Sequence, residues 1–148
     1  MRYNLLIFLA ILFSCCRDEN TTIKFAKDNL IFAGYFNRNF HTAIPFDSTN
    51  FILISESGCP GCMIGLINKL QKNKKSKIIV SDVLYQKLIN GYNFKITSNY
   101  LIDSSGEINQ LKYHRGNIGI IQTCDKNIYD ILQPSIEKID SFSNLLAE

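Results

Sequence analysis

The run Phe51-Ile52-Leu53-Ile54 is apolar at every position, and a few residues later the chain changes its hydrophobic period. A strand with no polar alternation is one that is covered on both faces, as in a parallel sheet. Ser57-Gly58 then breaks the run. From Cys59 onward the apolar residues Met63, Leu66, Ile67 and Leu70 recur at i, i+3, i+4 and i+7, the stripe of a helix. A buried strand that feeds directly into an amphipathic helix restricts the chain to α/β architectures.

The remaining pattern extends this unit. Lys77 to Val80 reads as a second strand, and Asp82 as the cap of a helix from Val83 to Ile89 that Gly91 ends. Phe94 to Ile102 reads as a third strand. Ser104 to Glu107 is a tight turn, with Ile108 to Tyr113 returning as a hairpin partner at the sheet edge. Gly116 and Gly119 mark a loop. Ile128, Ile131 and Leu132 begin a helical face that Ile136, Ile139, Phe142 and Leu146 continue, with a kink at Pro134. Nearer the start, Thr22 to Phe25 and Leu30 to Phe36 read as short strands or an extended arm around the turn residues Lys27-Asp28-Asn29. The expected fold is a central mixed β-sheet flanked by helices, with Phe51 to Ile54 as its central strand.

The first residues point to export. Arg2 precedes the apolar stretch Leu5 to Phe13, and Ser14, Cys15 and Cys16 follow. A basic start and a short apolar core are the marks of a secretory signal. The stretch is shorter than the ~20 residues a membrane-spanning helix needs. Leu12-Phe13-Ser14-Cys15 resembles the bacterial lipobox, which implies cleavage before a lipidated Cys15. The resulting layout is a signal peptide over 1–14, a lipidated tether and arm over 15–44, and a folded domain over 45–148. It places the protein in the cell envelope, held to a membrane by acyl chains and facing the periplasm or the exterior. The net charge of +3 and the single short basic run Lys72 to Lys77 argue against a nucleic-acid partner.

Cys59-Pro60-Gly61-Cys62 carries the chemistry. Two residues between cysteines at a helix start bring the sulfurs within disulfide reach. The first cysteine meets unpaired amide groups and the positive end of the helix dipole, both of which favour its thiolate. Cys59 is therefore the expected nucleophile and Cys62, one turn in, the resolving thiol. Pro60 sits where no amide hydrogen is needed, and Gly61 leaves the approach to Cys59 open.

The element order and the position of the CPGC motif resemble the thioredoxin superfamily, and within it the TlpA-like membrane-anchored envelope oxidoreductases. Tyr100-Leu101-Ile102-Asp103-Ser104-Ser105-Gly106-Glu107-Ile108 is similar to that family's strand–turn–strand segment, and the likeness covers residues 45–147. The resemblance implies a thioredoxin-like fold, Cys59 attacking and Cys62 resolving, a redox-active disulfide between them, and exported thiol or disulfide proteins as partners. The family's cis-proline aligns with Thr97 or Ser98, so those two residues and Pro60 and Gly61 are the implied substrate-binding positions. The sequence has no proline between Pro60 and Pro134 and no Trp before the cysteines. The strand before them lacks the family's buried acid, and Glu56 is the nearest carboxylate.

No cofactor and no resident metal is expected. The competing reading is a non-catalytic thioredoxin-like lipoprotein that binds a partner or a metal. Cys124 and His114 would be its further ligands, although Cys124 alone reads as a small buried hydrophobe.

Overall fold

A computed structural model of the chain describes residues 24–54, 56, 63–65, 67–68, 75–92, 99–113 and 118–134. Helix α1 (Ala26–Phe40) leads into β1 (Thr49–Ile54). Helical residues 63–65 and 67–68 precede β2 (Ser76–Ser81), α2 (Asp82–Tyr92) and β3 (Tyr100–Asp103). A short 3-10 helix (Glu107–Gln110), β4 (Ile118–Cys124) and β5 (Asn127–Leu132) complete the described chain. The five strands form one sheet in the order β3-β2-β1-β4-β5. The chain is thus α/β with a mixed sheet: β1, β2 and β3 run parallel, while β4 is antiparallel to β1 and β5 to β4.

β1 is central, as its uninterrupted apolar run requires. Phe51, Ile52, Leu53 and Ile54 are all fully buried. Alternate residues serve two different cores. Phe51 and Leu53 face a cluster with Ile79, Ile121 and the α1 residues Phe32, Tyr35 and Phe36. Ile52 and Ile54 face a second cluster with Met63, Ile67, Leu84 and Leu88. Met63 and Ile67 therefore lie on the buried face expected of them, while Leu66 and Leu70 lie outside the described residues. Each face is covered by helix, the arrangement that suits parallel strands.

Several expectations are corrected. Leu30 to Phe36, read as a strand or an arm, lies in helix α1 and is part of the core, while Thr22 and Ile23 lie outside the described residues. The rings of Phe32 and Phe36 meet Phe51 edge-on at centroid distances of 5.3 and 5.2 Å. The folded unit accordingly includes residues 26–44 and does not begin at 45. The return strand at Ile108 to Tyr113 does not form. Glu107–Gln110 is a 3-10 turn, Ile108 and Tyr113 are buried in the first core, and the sheet edges are β3 and β5. Ile128, Ile131 and Leu132 belong to strand β5 and start no helix. Gly119 lies within β4. The third strand is described only over Tyr100–Asp103, since residues 93–98 lie outside the described residues. Helix α2 passes through Gly91 to Tyr92, and its cap is Ser81 rather than Asp82: the Leu84 amide donates to Ser81 Oγ at 3.2 Å. No helix among the described residues is long and apolar enough to cross a membrane.

Candidate functional site

Three parallel strands end on one side of the sheet, at Ile54, Ser81 and Asp103, and β4 begins there opposite Ile54 at Ile118. This carboxyl edge is where α/β sheets carry ligands and reacting groups. β1 delivers the chain to it just before the cysteine motif. Cys59, Pro60, Gly61 and Cys62 lie outside the described residues, as do Thr97, Ser98, His114 and Cys15. What is described is the frame on either side: Glu56 before the motif and the buried Met63 after it.

Glu56 is partly exposed and is held by hydrogen bonds. Its Oε1 accepts a hydrogen bond from the Ser81 hydroxyl at 2.5 Å and another from the Asn109 amide at 3.0 Å. These two donors, Ser81 first, outweigh partial burial and hold the carboxyl below its ordinary range, with the Lys87 charge adding to the effect. Ser81 can serve Glu56 and the helix together because a hydroxyl has one hydrogen to give and lone pairs to accept with. It donates to Glu56 and accepts from Leu84. The end of β2, the start of α2 and the 3-10 turn thereby converge on a single fixed negative charge three residues before Cys59.

Asp103 closes the next corner of the same edge. It is fully buried. Its Oδ1 accepts from the Ser105 amide at 2.9 Å, the Ser105 hydroxyl at 2.6 Å and the Gly106 amide at 3.0 Å. Its Oδ2 accepts from the Ile108 amide at 2.6 Å and the Tyr35 hydroxyl at 3.2 Å. Gly106 takes φ +72°, which glycine adopts without strain, and this lets the chain wrap around the carboxylate. Burial and the adjacent Asp103 push the Tyr35 hydroxyl far above its ordinary pKa, so it remains a donor. The Asp-before-Gly pattern therefore builds a carboxylate-centred turn that carries Asn109 to Glu56.

β3 joins the sheet beside β2, with Tyr100 opposite Ile78 and the Ile78 amide donating to Asn99 O at 2.8 Å. The chain thus comes into β3 at the amino edge. The strand that starts at the carboxyl edge next to β1 is β4.

Cys124 ends β4 at the amino edge, beside the hairpin turn to Asn127. It is half-buried and disulfide-bonded, which replaces its reading as a buried hydrophobe. A sulfur in a disulfide offers no thiolate to a metal. Among the described residues no group of three or more His, Cys, Asp or Glu side chains is arranged to hold a metal ion.

Sequence reasoning passed over Ser81, Asp103 and Asn109 as parts of this edge. Two of them had a local signal: a Ser just before an amphipathic run is a capping residue, and Asp-Ser-Ser-Gly is a carboxylate-centred turn. Asn109 had none, because its role depends on the 3-10 turn. No protein-family model and no curated protein matches this chain.

Proposed function

We propose that this chain is a lipid-anchored thiol–disulfide oxidoreductase of the bacterial cell envelope with a thioredoxin-like fold, Cys59 attacking and Cys62 resolving. The observation that carries the reading is the place to which β1 leads. A central, doubly buried strand with a parallel neighbour ends at the carboxyl edge, and the CPGC motif follows before helical residues packed on the sheet. The antiparallel pair β4–β5 beside that strand is a further point of likeness to a thioredoxin-like sheet. Strand β3 differs, pairing parallel to β2 at the opposite edge instead of forming a hairpin.

The chemistry is a balanced two-electron exchange. The Cys59 thiolate attacks one sulfur of a partner disulfide, whose other sulfur leaves as a thiolate and takes up a proton. The Cys62 thiolate then attacks Cys59 in the mixed disulfide and releases the partner as a dithiol. The chain ends oxidised and the partner reduced, and the same steps in reverse oxidise a partner. Partners are exported proteins with thiols or disulfides.

Equilibration of the full chain with glutathione redox buffers tests this. Quenching by alkylation gives the oxidised fraction of the Cys59–Cys62 pair. A reversible couple between about −120 and −270 mV is expected, the span of exchange-active pairs. A potential below about −300 mV would mark a structural disulfide and overturn the reading.

A further inference from the structure

We infer that Asn29 and Asp130 are stops that close the outer edge of β5, so that this strand does not pair with a strand of a second copy of the chain. In the order β3-β2-β1-β4-β5 it stands at the edge of the sheet. Its sequence, Asn127-Ile128-Tyr129-Asp130-Ile131-Leu132, is mostly β-branched, aromatic or apolar. An open edge of this kind invites another copy to add a strand through main-chain hydrogen bonds.

The register says which β5 amides face outward. The turn Asp125-Lys126 has two residues, both with positive φ, and closes on the pair Cys124–Asn127. The closing pair of such a hairpin is hydrogen-bonded, and pairs along an antiparallel ladder then alternate. Thr123–Ile128 is thus a pair whose amides point away from each other, which turns the Ile128 amide off the sheet. The bulge places one extra residue, Tyr129, on β5 and leaves the alternation along β4 unbroken. Gln122 therefore takes a hydrogen-bonded place opposite Asp130, and Ile121–Ile131 the next open one, with the Ile131 amide outward.

Side chains take both outward amides. Asn29 Oδ1, from the first turn of α1, accepts from the Ile128 amide at 2.6 Å. Asp130 Oδ1 accepts from the Ile131 amide at 2.9 Å. Neither amide is left for the carbonyl of an incoming strand. Asp130 also puts a carboxylate in the middle of the edge, and a mating strand would have to desolvate it. The bulge at Tyr129 bends the strand between the two stops, away from the flat shape that edge pairing needs. β5 ends at Leu132, and Pro134 two residues on has no amide to offer. The stops differ in origin. Asp130 is carried by β5 itself, whereas Asn29 arrives only with the docking of α1, so a chain without α1 presents the Ile128 amide.

The test compares the full chain, purified in detergent, with N29A/D130A and with N29D/D130N, which keeps an acceptor oxygen at both places. Native mass spectrometry counts the copies, circular dichroism follows the fold, and hydrogen exchange read by NMR follows the Ile128 and Ile131 amides. The inference expects one copy for wild type and for N29D/D130N. It expects folded N29A/D130A to associate as its concentration rises, with both amides protected again in the associated form. A folded N29A/D130A that stays one copy, an association that leaves both amides open, or a wild type already paired through β5 overturns it. The single variants decide the matter where the double variant does not fold. Exchange should quicken about tenfold at Ile128 in N29A and at Ile131 in D130A, about the worth of one hydrogen bond. Each folded single variant should associate at higher concentration. Unchanged exchange at these amides, or single variants that stay one copy, overturns the inference. None of these readouts involves Cys59 or Cys62, so they stand or fall apart from the proposed function.

Discussion

The Tyr35 hydroxyl donates to Asp103 Oδ2 at 3.2 Å, and this bond ties α1 to the end of β3 across 68 positions of sequence. It joins the helix that brings Phe32, Tyr35 and Phe36 to the first core to the carboxylate that organises the carboxyl edge. Loss of the carboxylate should therefore cost more than loss of the hydroxyl. Tyr35→Phe removes one donor of several and should cost about 1.5 kcal/mol. Asp103→Ala orphans the buried Ile108 amide and opens the turn, and should cost about 3 kcal/mol or more. Urea unfolding midpoints of the two variants check the order.

Helix α1 is part of the core and not of the tether. Phe32→Ala should cost about 3–5 kcal/mol, the usual range for a buried aromatic. A shortened chain beginning at residue 45 lacks Phe32, Tyr35 and Phe36 and should show no cooperative thermal transition. Circular dichroism of both chains tests this.

Acid should weaken the carboxyl edge. The Glu56 carboxyl is held below its ordinary value in the folded chain, chiefly by Ser81 and then by Asn109. The stabilisation is fully present above the unfolded pKa of about 4.3 and is lost as pH falls through the lower folded value. Ser81→Ala should flatten the fall in stability between about pH 5 and pH 3 relative to wild type. Denaturant midpoints across that range decide it.

Alkali acts in the opposite sense. Burial raises the hydroxyls of Tyr35, Tyr100 and Tyr113 above the ordinary tyrosine value. Their contribution is complete below the unfolded value of about 10 and is lost as pH rises above it, because the unfolded chain ionises first. An ultraviolet titration of phenolate should show these three ionising only together with unfolding.

Much of the centre was legible because its cause is local. A strand apolar at every position has only one good environment, and Phe51 to Ile54 occupies it. The periphery was harder, for identifiable reasons. The α1 residues Phe32, Tyr35, Phe36 and Phe40 do fall at helical spacing, but they are strand-favouring aromatics that follow the turn-like Lys27-Asp28-Asn29. In β5, Thr123 pairs with Ile128 and Gln122 with Asp130, so Tyr129 is an extra residue. That bulge reverses the alternation and puts Ile128 and Ile131 toward the same core at a spacing of three, which imitates a helix. The carboxyl edge combines both cases. The end of β1 was readable from the break in its apolar run, whereas Glu56, Ser81 and Asn109 meet only through the sheet and the 3-10 turn.

The central claim is that Cys59 is an activated thiol, and its alkylation rate measures that most directly. The reduced full chain is treated with iodoacetamide from pH 5 to pH 9, and Cys59 and Cys62 are followed separately by mass spectrometry. The account predicts that Cys59 reacts first, with a midpoint below about 7.5, as expected of a thiolate at a helix start. A Cys59 that follows an ordinary thiol of pKa about 8.5 and reacts no faster than Cys62 would contradict it.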